Sequence, residues 1–111
     1  MYKTLFGLIF LGALAGGCSK ATGSTCPTTN PPTYANFGQS FMQTYCVSCH
    51  SASGRPPNLT TLANIQAERT EIDETAAAGP NGVNTEMPES GSVPEAERRR
   101  LGEWLACGAP P

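Results

Sequence analysis

The chain has 111 residues, 14% of them charged, with a formal net charge of −2 and five cysteines. That length admits one small domain, and the weakly acidic balance excludes a footprint for nucleic acid. Four phenylalanines and one tryptophan make a thin core, so the domain needs a staple or a bound group to hold it together.

Met1-Tyr2-Lys3 is a short basic region, and "TLFGLIFLGALAGG" (4–17) follows as an apolar run of about 14 residues. Such a run suits a secretory signal and is short of the about 20 residues that a membrane-spanning helix needs. It ends in "LAGGC", which resembles a bacterial lipobox, although Ala15 holds the place where the pattern has leucine and Leu14 lies one further back. The resemblance implies a signal peptide over 1–17 and a lipid on Cys18. An ordinary signal peptide is the alternative. Ser19 is not the aspartate associated with retention at the inner membrane, which favours the outer one. With Lys3 removed, six basic side chains face nine acidic ones.

Residues 18–33 are rich in Ser, Thr, Pro and Gly and carry no apolar period, so they read as a flexible tether with Cys26 as an anchor point. The domain then spans 34–109. Phe37, Phe41 and Tyr45 recur every four residues and predict a helix over 34–49, with Met42 as core filler. Gly38 inside that helix costs about 1 kcal/mol against alanine and suggests close approach by another backbone. "SASGRPPN" (51–58) reads as a loop. A second helix is predicted over 61–78, with Leu62, Ile65, Ile72 and Ala76 on one face and a break near Glu68-Arg69. Residues 79–91 are turn-rich. Ser92 and Glu95 have the spacing of a capping box, with Pro94 in the first turn. The last helix runs to about Cys107 and stops at Gly108, with Leu101, Trp104 and Leu105 as its apolar face. "RRR" at 98–100 reads as its solvated side. No strand pattern is visible.

The chemistry lies in "YCVSCH", where Cys46 and Cys49 are followed at once by His50. A thiol–disulfide oxidoreductase would set Cys-x-x-Cys at a helix start after a strand; here the motif ends a helix. Zinc would need four tetrahedral ligands, so Cys26 and Cys107 would have to join, and adjacent Cys49 and His50 suit one ion badly. A covalently held haem fits the spacing, because two thiols three apart reach both vinyl groups and the next residue places an imidazole under the iron.

Over roughly 34–108 the chain resembles the small class I c-type cytochromes. Gly38 lies eight before Cys46, "PPNL" (56–59) is similar to the family's Gly-Pro-x-Leu loop, "EMP" sets Met87 before a proline in a late loop, and Trp104 stands on the last helix. Met42 departs from the phenylalanine usual four before the first cysteine. The resemblance implies an all-α fold, about three helices around one haem c with the first and last crossing. It implies thioethers at Cys46 and Cys49, His50 and Met87 as axial ligands, and the Pro57 carbonyl accepting from His50. His50 is the only histidine, which excludes a bis-histidine site within one chain, and of the methionines Met1 leaves with the signal.

In an oxidising compartment Cys26 and Cys107 are a natural pair, and two free thiols are the alternative. The function implied is one-electron transfer by a lipid-anchored periplasmic protein that is not an enzyme. Its redox partners are not readable. A ligand-binding or sensor haem with an open sixth position is the alternative function, and a structural zinc module a third.

Overall fold

The computed structural model describes residues 19–111. The expected signal peptide over 1–17 and the expected lipid site at Cys18 lie outside the described residues.

Thr33 and Asn36 start the first helix reciprocally. The Thr33 hydroxyl accepts the Asn36 N–H at 3.1 Å, and the Asn36 side-chain oxygen accepts the Thr33 N–H at 2.8 Å, a capping-box arrangement. Tyr34–Gly38 is π-helical and runs into α1 (Gln39–Tyr45). The amides of Phe37 and Gly38 both donate to the Thr33 carbonyl at 3.0 Å, which widens the opening turn. α2 (Leu62–Ala67) begins at Thr61, whose hydroxyl accepts the Asn64 N–H. Glu68 leaves helical geometry with ψ 7° and separates α2 from α3 (Arg69–Ala76), where the sequence predicts the break.

β1 (Ala78–Gly79) and β2 (Gly82–Val83) then form a two-residue antiparallel pair, Ala78 opposite Val83 and Gly79 opposite Gly82. The sequence shows no strand pattern because two residues cannot alternate. α4 (Glu95–Ala106) completes the fold. The expected capping box at Ser92 and Glu95 does not form. Pro94 is the N-cap without a side-chain bond, and Glu95 instead pairs with Arg99 at 3.0 Å. At the other end Ala109 N–H donates to Trp104 and Gly108 N–H to Leu105, both at 2.9 Å, the Schellman pattern that satisfies the last carbonyls.

The first and last helices meet at Gly38. A methyl group there would overlap the Trp104 ring, and Trp104 is fully buried. Tyr34 stacks on that indole at 6.2 Å and Phe37 meets it edge-on at 6.4 Å. Phe41 and Tyr45 continue the stripe at centroid spacings of 5.5 and 4.9 Å. Offset and edge-on pairs of this kind contribute about 0.5–1.5 kcal/mol beyond their buried area. Met42, Leu59, Ile65, Ile72 and Leu101 fill the rest of the core. The Pro110 carbonyl accepts from Tyr34 N–H and Trp104 Nε1, closing the chain end over the crossing.

Residues 19–33 are not a free tether. Thr22 is 1% exposed, its N–H and hydroxyl donate to the Asp73 carboxylate at 2.8 and 2.6 Å, and Lys20 pairs with Glu86. The segment packs by satisfying polar groups rather than by burying an apolar face, so it has no period to read. A disulfide joins Cys26 to Cys107, with Cα atoms 4.7 Å apart. Closing 81 residues stabilises by about 4 kcal/mol in the loop-entropy description. The "RRR" run at 98–100 is not wholly a solvated face. Arg99 and Arg100 make surface pairs with Glu95 and Glu103, but Arg98 is buried, because it lies on the same helical face as Leu101 and Leu105.

Candidate functional site

α1 ends where its chemistry begins. Cys46 is its C-cap, with φ −123° and its N–H on the Met42 carbonyl. The chain then turns tightly, Cys49 and His50 N–H both donating to the Cys46 carbonyl at 3.2 and 2.9 Å. Cys46, Cys49 and His50 therefore occupy one turn. Burial pushes the Cys46 thiol up to about 11. Cys49 is exposed.

The loop after His50 folds back onto this turn. Gly54 lies so close to the Cys49 carbonyl that a Cβ would overlap it. Arg55 N–H donates to the same carbonyl at 2.8 Å, and Leu59 N–H to the His50 carbonyl at 2.9 Å. This curl sets the Arg55 carbonyl 3.1 Å from His50 Nδ1. A carbonyl only accepts, so Nδ1 carries the proton and Nε2 keeps its lone pair for a metal. The acceptor is thus Arg55, two residues before the Pro57 that the sequence resemblance implies. The reason is the tight return at Gly54, which brings residue 55 against the motif. Pro57 instead lines the cavity.

Met87 comes from the other end of the fold. It follows the β1–β2 turn, and its N–H donates to the Thr75 carbonyl at 2.9 Å near the end of α3. A cavity of about 470 Å³ brings Cys46, Cys49, His50, Pro57 and Met87 onto one lining, with Leu59 and Ile72 among its apolar walls. Cofactor sites commonly measure about 300–1,000 Å³ and are mostly apolar with a few placed polar groups. Met42 is not part of this lining; it is 1% exposed within the core. Cys26 and Cys107 are bonded to each other and so cannot complete a zinc site with Cys46 and Cys49. Among the described residues no group of three or more His, Cys, Asp or Glu side chains is placed to hold a metal ion.

The residues present suit a haem: two thiols on one turn, an imidazole with its outer nitrogen protonated, and a thioether on the same cavity. Residues 35–105 match the family model of the cbb3-type cytochrome c oxidase subunit III. The chain belongs to this family of c-type cytochrome domains. Its mostly helical architecture is consistent with that assignment. Membership carries covalently bound haem c and electron transfer as the general function. Members are typically exported, and no helix among the described residues is long and apolar enough to cross a membrane. Neither a curated protein nor a solved structure matches the chain.

Two further residues of the cytochrome escape the sequence reading. Arg55, on the cavity lining, reaches to Glu89 on the same lining, its Nη1 lying 3.1 and 3.2 Å from the two carboxylate oxygens. Both side chains are largely exposed, so this strap contributes at most about 1 kcal/mol. Arg98 donates from Nη1 to the Met87 carbonyl at 2.8 Å. Its spacing from Leu101 and Leu105 is the signal that marks it as buried.

Proposed function

We propose that this cytochrome is a one-electron carrier of the class I type, with one haem held by thioethers at Cys46 and Cys49 and ligated by His50 and Met87. The observation that carries the reading is the single cavity lined by all four side chains. When bound, the haem supplies a reversible ferric–ferrous couple, and a thioether ligand favours the ferrous state more than a second histidine does. The chain's own contribution is orientation. The Arg55 carbonyl holds the imidazole through Nδ1, and the Thr75 carbonyl holds Met87 through its N–H. A site with both axial positions filled offers no coordination place to a substrate, so we read the protein as a carrier and not an enzyme. Redox partner proteins would meet it at the exposed edge near Cys49.

The setting we propose is the periplasmic side of a bacterial membrane, outer rather than inner, with lipid on Cys18 as the anchor. Cys18→Ser should abolish lipid labelling and release the cytochrome to the periplasm; unchanged membrane association would point to an uncleaved anchor. The ligand set is tested by two methionine variants side by side. Met87→Ala should lose the near-infrared methionine–ferric band and lower the potential. Met42→Ala should keep the band and lose about 2–5 kcal/mol of stability. The opposite assignment of effects would overturn the ligand set.

A further inference from the structure

Arg98 is the one charged residue of the described part that is buried, at 4% exposure. Among the described residues it forms no ion pair. Its acceptors are three carbonyls instead, Ala76 at 2.7 Å, Asn84 at 2.9 Å and Met87 at 2.8 Å from Nη1, which share that nitrogen's two hydrogens. Burying a cation without a counter-ion is costly unless its hydrogens are satisfied. An apolar side chain of similar length would fill the space without that cost, but it would leave these carbonyls without a donor. The guanidinium therefore acts on the three peptide groups it touches.

Those groups share a purpose. Ala76 ends α3, while Asn84 and Met87 lie on the segment between β2 and α4. Met87 is then held on both sides of its Cα, its N–H on Thr75 and its C=O on Arg98. Asn84 spreads the same tie outward, its side-chain amide donating to the Asp73 and Lys20 carbonyls.

We propose that Arg98 is a positioning residue for Met87: it locks the Met87 backbone between α3 and α4, so that the thioether is presented at a fixed place, and its charge behind the ligand raises the reduction potential. The proposal rests on the reading of Met87 as an axial ligand. A fixed thioether lowers the rearrangement that accompanies electron gain, and a nearby buried cation disfavours the more positive ferric state.

The test uses the haem-loaded protein in three variants. Arg98→Met removes charge and donors, Arg98→Lys keeps the charge on a shorter stem, and Ile65→Ala weakens the core away from the cavity. In Arg98→Met, opening of the Met87 amide to hydrogen exchange should become about 10- to 100-fold more frequent, the span that loss of a charged hydrogen bond implies. Carbon monoxide should enter the reduced protein faster, the methionine–ferric band should weaken and the potential should fall. Arg98→Lys should restore much of the potential and part of the exchange protection. Ile65→Ala should lose stability and leave band, potential and carbon monoxide uptake in place.

An Arg98→Met protein with the band, potential and Met87 exchange of the wild type overturns this proposal alone. A wild type without the band overturns the ligand reading and this proposal with it. If Arg98→Met does not fold, the wild-type exchange pattern decides. The Met87 amide should be protected like that of Leu101 within α4, and exchange as free as that of exposed Gly91 overturns the clamp.

Discussion

The two halves of the site are built in different ways. The Cys46–His50 half is one turn of chain, closed by bonds that span only a few residues: Cys49 and His50 to Cys46, and Arg55 to Cys49. The Met87 half is assembled from distant parts, with Thr75, Arg98, Asn84 and Lys20 each supplying a tie. A local turn costs little chain entropy to close. A loop held by remote partners depends on those partners being in place. The attachment side should therefore behave as a unit, while the methionine side should respond to changes far from it.

The largest effect should come from within the local half. Cys46→Ala or Cys49→Ala should leave mostly haem-free, poorly folded chain, because the bound group supplies much of a thin core; haem retained on a denaturing gel is the measurement. Full retention in both single variants would break the account of the motif as one attachment unit.

Cutting the staple sharpens the contrast. Cys107→Ser should cost about 2–4 kcal/mol in a denaturant melt. Residues 20–22 touch Asp73, Asn81, Asn84 and Glu86 but not the Cys46–His50 turn. Hydrogen exchange should therefore quicken at 81–87 more than at 46–50. Equal acceleration on both sides would mean that the staple does not favour the distal half.

A smaller change acts on the scaffold that both halves share. Gly38→Ala forces a methyl into the Trp104 ring and should cost about 1–3 kcal/mol, with the optical spectrum of the folded protein unaltered. A spectral change without a stability change would place Gly38 in the site rather than under it. The smallest effect is expected at Pro57. Because the His50 Nδ1 proton rests on the Arg55 carbonyl, Pro57→Ala should leave the potential as it is. A clear shift in potential would return the hydrogen bond to Pro57.

The same division decides what was legible in the sequence. The Cys46–His50 turn, the break at Glu68 and the Gly38–Trp104 crossing are written in short spacings or in residues whose size demands a partner. The distal supports are not. Thr22 and Asp73 are joined across 51 positions by hydrogen bonds, and a Ser/Thr-rich stretch looks the same whether it is docked or free. Arg98 was hidden by its neighbours, since three arginines in a row suggest a wet surface until each is assigned to its own side of the helix. Pro57 shows a finer limit. A motif resemblance identifies the loop that holds the histidine, but a tight return at Gly54 moves the accepting carbonyl by two residues.

In the proposed ligand set both halves close on one iron, with His50 from the local turn and Met87 from the assembled loop. Its most direct test is the optical spectrum of the reduced wild-type protein before and after exposure to carbon monoxide. A low-spin ferrous haem whose spectrum barely changes is expected, because Met87 at the sixth position would leave no place for carbon monoxide. A high-spin ferrous spectrum with ready uptake of carbon monoxide would contradict it and assign the cavity to a ligand-binding or sensor haem.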